Sequence, residues 1–273
     1  MDVKLPLCSL IILLAAINGN GLQKMDMRIE QVHSSPHMHH HMDPSLIVFF
    51  FVEDLTVGNT IPIYFPSRGL DSVSAHLLPK EEADSIPFSS DQLNHLLKVY
   101  SFPRGSPQAT AMEDTLRQCE TKPIKGETKT CPTSWGSMLD FATSIIGSGT
   151  EIKILSTTHV TPSSAILQKY KIMGVEEYPA SKVVACHTMP YPYAVFYCHY
   201  QESQSRVFNV SLTGENGDRV EAVAVCHMDT SQWSRNHVSF KVLGIEPGSS
   251  PVCHFFPADN FVCVPSDALM QQA

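Results

Sequence analysis

Residues 183–200 read VVACHTMPYPYAVFYCHY, and two runs in that stretch, Val183–Cys186 and Ala194–Cys198, have β-strand texture and end on a cysteine that is followed by a histidine. The same dipeptide returns at Cys226-His227 and Cys253-His254, giving CH-x10-CH-x26-CH-x25-CH. With 8 cysteines and 13 histidines in the chain, four such adjacencies by chance are very improbable. Successive side chains of a strand point to opposite faces, so a cysteine and the histidine after it cannot easily hold the same ion. The spacing therefore predicts four cysteines gathered on one face, forming two disulfides among themselves, and four imidazoles converging on the other. Sequence alone leaves the pairing of those four open. His187, His199, His227 and His254 are then candidate ligands; neutral imidazoles suit several transition metals, with copper the first choice and zinc the second. Two alternatives stand beside this. A pair lying in a turn would permit a mixed Cys/His zinc site, and any single histidine can simply hydrogen-bond the backbone. Asp229 is placed either to orient an imidazole or to cap the turn it makes with Thr230 and Ser231.

Working outward, further strands are expected over Arg206–Leu212, Val220–Cys226, His237–Leu243, Val252–Phe256 and Phe261–Val264, with Asn216-Gly217 marking a hairpin. Upstream, from about residue 88 to 175, the pattern is helical. Ser89-Ser90-Asp91 caps a helix from Gln92 to Tyr100, Met112, Leu116 and Cys119 mark a second, and Ser134 to Ile146 a third with Met138, Phe141 and Ile145 on one side. Leu46 to Val52 and the segment after it, punctuated by Gly58, Pro62 and Pro66, suit two short extended pieces. The fold class is α+β, a helical middle segment packed on a C-terminal antiparallel β-structure.

The chain of 273 residues is long enough for one large domain or two small ones, and 43% apolar with 17% charged residues is an ordinary globular composition. A net charge of −8 works against nucleic acid as a partner. Residues 1–20 read as a secretory signal, with Lys4 before the apolar run Leu5–Ile17, and no later run is long enough to span a bilayer. Residues 21–45 form a His-rich flexible linker containing His33, His37, His39, His40 and His41 with Met38 and Met42, a second place where copper could be captured. The folded domain is assigned to 46–267 and a tail to 268–273. Removal of Cys8 with the signal leaves seven cysteines for an oxidising compartment, an odd number. Cys119 is expected to pair with Cys131 across a polar loop carrying Pro123 and Gly126, which leaves Cys263 over. Asn209-Val210-Ser211 is a glycosylation acceptor.

The four Cys-His pairs at these spacings resemble the defining pattern of the plant BURP domain, over about residues 46 to 266. Phe49-Phe50 with Glu53-Asp54-Leu55 and Gly58 is similar to its opening. Ile86-Pro87-Phe88-Ser89-Ser90, Cys119-Glu120, Gly126-Glu127-x-Lys129-x-Cys131-x-Thr133-Ser134 and Ser137-Met138-x-Asp140-Phe141 are similar to its middle, and Cys226-His227-x-Asp229-Thr230-Ser231-x-Trp233 to its late signature. Trp135 and Cys263 depart from the family pattern, and Cys263 raises the prospect of a reactive or intermolecularly paired thiol. The resemblance implies a secreted protein of the apoplast and cell wall, or of a storage vacuole, like the short seed- or embryo-type members. It implies a non-enzymatic role in cell wall, seed or embryo development or stress response, with cell-wall components or a peptide as partners. As a second activity it implies a copper-dependent peptide cyclase that crosslinks aromatic side chains; no catalytic residue is assigned. Cell-wall hydrolysis finds no carboxylate pair in a recognisable setting.

Overall fold

The computed structural model describes residues 44–66, 78–161 and 165–266. The signal, nearly all of the His-rich linker and the C-terminal tail expected from sequence lie outside the described residues. The elements run β1 (Phe49–Phe50), β2 (Thr60–Tyr64), α1 (Lys80–Ser85), α2 (Leu93–Val99), α3 (Pro107–Glu120), β3 (Glu127–Thr130), α4 (Trp135–Ile146), β4 (Ile152–Leu155), β5 (Thr158–His159) and β6 (Leu167–Tyr178). They continue with β7 (Val184–Met189), β8 (Val195–Gln201), β9 (Ser205–Gly214), β10 (Arg219–His227), α5 (Val238–Leu243), β11 (Val252–Phe255) and β12 (Phe261–Pro265). The class is broadly α+β, with strands predominating. Among the described residues no helix is long and apolar enough to cross a membrane.

The strands form two antiparallel sheets, one ordered β1-β11-β10-β9-β6-β2 with β5 also on β10, the other β3-β8-β7-β12-β4. Strand alternation gives each sheet two different faces. Val207, Val223 and Val225 of the first sheet meet Ala185, Val262 and Val264 of the second, with Phe256, in one buried layer. The opposite face of the first sheet buries Phe208, Val210, Ala224 and Phe255 against Phe50, Phe65 and Tyr170. The outer face of the second sheet is covered by α4, whose Met138, Ala142 and Ile146 pack on Val184, Phe196 and Phe261. Its N-cap is Ser134, whose hydroxyl accepts from Ser137 N in a reciprocal capping box. Trp135, in the first turn, packs edge-on against Phe261. The other two long helices, α2 and α3, bury Leu96, Leu97, Met112 and Leu116 in a small core of their own, against which Tyr191 packs.

Two local expectations are corrected. Residues 237–243 are not a strand: Val238–Leu243 is a helix, capped by His237 and ended by Gly244 at φ 67. The β-branched residues there favour a strand locally, but burying Phe240 against Trp233 and His237 decides the backbone. The helical reading up to residue 175 also gives way, because β3, β4 and β5 interrupt it and β6 is a 12-residue strand. Tyr170 and Ile172 face the core two residues apart, and a bulge between Ile172 and Gly174 then moves the inward face to Val175. Steps of two and three in succession blur the strand period. The hairpin at Asn216-Gly217 joins β9 to β10, with Gly217 at φ 87. Asn209 is exposed on β9, open to the solvent side of that strand.

Candidate metal centre

Each Cys-His pair lies on a strand, so alternation separates the two side chains. Cys186 stands directly opposite Cys198 on β7 and β8, and Cys226 opposite Cys253 on β10 and β11. Both pairs are disulfides, with Cα atoms 4.0 and 3.9 Å apart. Cys119 bridges to Cys131. The two strand disulfides lie on the outer faces, one under α4 and one in the aromatic core of the first sheet. Among the described residues Cys263 has no disulfide partner, as the odd cysteine count suggests, and it is fully buried beside α4, where burial pushes its thiol up to about 12. A thiol buried in apolar surroundings is inert rather than reactive, which argues against a reactive or intermolecularly paired Cys263.

The histidines project the other way, into the layer between the sheets and just beyond its valine core. Ring centroids are 5.5 Å apart for His187–His199, 6.1 Å for His199–His227, 5.6 Å for His227–His254 and 5.5 Å for His187–His254, a closed quadrilateral fed by both sheets. Phe256 forms its floor, stacked on His187 and on His254 at 4.8 Å each. Trp233 covers His227 at 5.0 Å and His237 at 4.5 Å. His227 and His254 are buried, and His187 and His199 are half-buried along a cleft of about 520 Å³ that Phe49, Tyr64, Met189 and Trp233 also line. Among the described residues no three His, Cys, Asp or Glu side chains already close to ligand distance. The donor set nevertheless fits a transition ion: four imidazoles, one of which, His199, has a buried Nδ1 with no hydrogen-bond partner.

Burial holds the imidazoles of His187, His227 and His254 well below the ordinary histidine value, and the neighbouring rings push in the same direction. They are therefore neutral, the form that binds metal. The sign for stability follows. The folded rings refuse protons that the unfolded chain takes up, so the contribution is complete above the unfolded histidine value, about pH 6.5, and is lost as pH falls below it. Urea denaturation of the metal-free protein is expected to show stability falling from about pH 7 to about pH 5; a flat profile through that window would contradict it.

Glu127 and His237 were given no part in the site by sequence reasoning. Strand β3 places Glu127 on the face of His199, with Oε1 3.5 Å from His199 Nδ1. Tyr197 OH donates to the same oxygen at 3.3 Å, and Ile124 N to Oε2 at 3.1 Å. Burial raises the Glu127 carboxyl, but these contacts with His199, Ile124 and Tyr197 outweigh it and leave it below the usual glutamate value. The available signal was alternation in Glu127-Thr128-Lys129-Thr130 just before a cysteine, too short to orient without its partner strand. Asp229 does not face the histidines: its carboxylate is exposed and accepts from Ser231 N at 2.9 Å, which makes it the turn cap.

A family model described as the BURP domain matches residues 48–265. The chain is 47% identical over 228 residues to BURP domain-containing protein BNM2A of Brassica napus, covering 81% of this chain and 80% of the relative. It is 43% identical over 228 residues to BURP domain protein USPL1 of Arabidopsis thaliana, covering 81% of each. It is 42% identical to BURP domain protein RD22 of Arabidopsis thaliana, covering 81% of this chain and 56% of the relative.

Proposed function

The chain belongs to the BURP-domain family of plant proteins, and from that premise we propose that its domain holds a transition metal, copper in first place and zinc in second, at His187, His199, His227 and His254. The observation that carries this is the quadrilateral of imidazoles drawn from four strands of two sheets, each histidine backed by a cysteine locked in a strand-to-strand disulfide. The protein works outside the cytosol, in the wall or a storage vacuole, as a non-enzymatic binding protein in wall or seed development. Three disulfides among the described residues support an oxidising compartment, as does the apolar run at Leu5–Ile17.

A second reading, peptide crosslinking at a copper centre, draws on the cleft of about 520 Å³ beside the histidines, which Phe49, Tyr64 and Trp233 line. Against action on its own leader, residues 21–45 contain no Phe, Tyr or Trp; the first Tyr is Tyr64 and the first Trp is Trp135. The binding reading therefore stands first.

Copper titration of the full chain tests it. Each of His187→Ala, His199→Ala, His227→Ala and His254→Ala is expected to weaken Cu(II) binding by roughly tenfold or more, and replacing residues 33–42 to weaken it less. The reverse ranking would move the site into the linker.

A further inference from the structure

We propose that the four histidines are of different kinds, because the groups facing their Nδ1 atoms set where each proton sits: Glu127 places the proton of His199 on Nδ1 and frees Nε2 for a metal, whereas Asn260 leaves the proton of His187 on Nε2. This rests on the reading of the cluster as a metal site. Glu127 is the positioning residue of His199 and Asn260 that of His187.

The case for His199 begins with donor chemistry. Its Nδ1 is buried and has no partner closer than Glu127 Oε1, at 3.5 Å. That is longer than a formed hydrogen bond, and among the described residues no other group competes for the nitrogen. A carboxylate can only accept, so the proton belongs on Nδ1 and the lone pair on Nε2. Glu127 is itself held in place, since Ile124 N occupies Oε2 and Tyr197 OH reaches Oε1. Carboxylate, imidazole and metal in series is the arrangement that raises the basicity of a ligating nitrogen.

At His187 the logic inverts. Asn260 Oδ1 accepts from Thr188 N and from Thr188 Oγ1, both at 2.9 Å. A backbone N–H can only donate, so the amide oxygen must face Thr188 and the amide nitrogen must face His187, where it lies 3.3 Å from Nδ1. An amide NH₂ donates, Nδ1 accepts, and the neutral ring keeps its proton on Nε2. His237 caps α5, its Nδ1 accepting from Ser239 N at 3.4 Å with the Ser239 hydroxyl closer at 2.7 Å, and a hydroxyl can serve either tautomer. His237 also lines the cleft. His227 Nδ1 faces Ser205 Oγ at 3.3 Å, and a hydroxyl can serve either tautomer. His199 thus offers a lone pair without rearrangement, whereas His187 joins a metal only after its proton moves and Asn260 gives way.

Two substitutions follow. In Glu127→Gln the amide oxygen is claimed by Ile124 N, so the NH₂ turns onto His199 Nδ1 and drives the proton to Nε2. In Asn260→Asp the second oxygen accepts from His187 Nδ1–H and frees its Nε2. The test is long-range ¹H–¹⁵N correlation of the histidine rings in metal-free full chain at neutral pH, together with Cu(II) titration. In the parent protein His199 is expected as Nδ1–H and His187 as Nε2–H. Glu127→Gln is expected to switch His199 alone and to lower copper affinity about 10- to 100-fold, and Asn260→Asp to switch His187 and raise affinity about tenfold. A misfolded variant neither switches one ring nor gains affinity. His199 found as Nε2–H in the parent, or unmoved by Glu127→Gln, overturns the proposal. The stated tautomers in a protein that binds no copper would uphold the proton placement and overturn the metal reading.

Discussion

Phe256→Ala is expected to destabilise the protein by about 3–5 kcal/mol and to loosen the histidine cluster at the same time. Phe256 is fully buried in the layer between the sheets, and its ring is the surface on which His187 and His254 both stack. Its backbone is tied as well, because Phe256 N donates to Val223 O at 2.9 Å and its carbonyl accepts from Thr157 Oγ1. Truncation cannot be relieved by a local backbone shift, so the cavity persists and the cost falls at the upper end of the core series. The same cavity removes the floor that sets the spacing of two imidazoles drawn from different sheets, and copper binding should weaken with it. Denaturant unfolding of the parent and the variant measures the first effect; a loss below about 1 kcal/mol would show that Phe256 does not join the sheets.

The second large effect is covalent. Replacing Cys226 and Cys253 together by Ala is expected to cost about 3.6 kcal/mol, and replacing Cys186 and Cys198 about 2.9 kcal/mol, from the loop-closure entropy of separations of 27 and 12 residues. The order of the two costs follows from loop length, since the longer loop loses more closure entropy. Each bridge also pins the strand pair that carries two of the histidines, β10 with β11 for His227 and His254, and β7 with β8 for His187 and His199. Weaker copper binding in both double variants is therefore part of the expectation. Equal stability of parent and variants in urea would show that the strand pairing alone holds these residues together.

The face of each Cys and His was legible because a strand has a two-residue period and nothing else enters the argument. Cys119–Cys131 and the capped helix after Ser134 were legible for similarly local reasons, a short loop and a capping residue. What the chain alone did not reveal depends on register between distant segments. Glu127 becomes a neighbour of His199 only when β3 lies along β8, more than 70 residues on. Asn260 reaches His187 only across the turn before β12. The segment 237–243 was misread because its β-branched residues state a local preference that aromatic packing overrides, and β6 because a bulge breaks its period.

Counting the imidazoles on the bound ion tests the central claim most directly. In full-length protein loaded with one equivalent of Cu(II), pulsed electron paramagnetic resonance is expected to show coordination by several histidine nitrogens. That signal should disappear when His187, His199, His227 and His254 are replaced together, and persist when residues 33–42 are replaced. A histidine signal that survives loss of the four strand histidines would contradict the account.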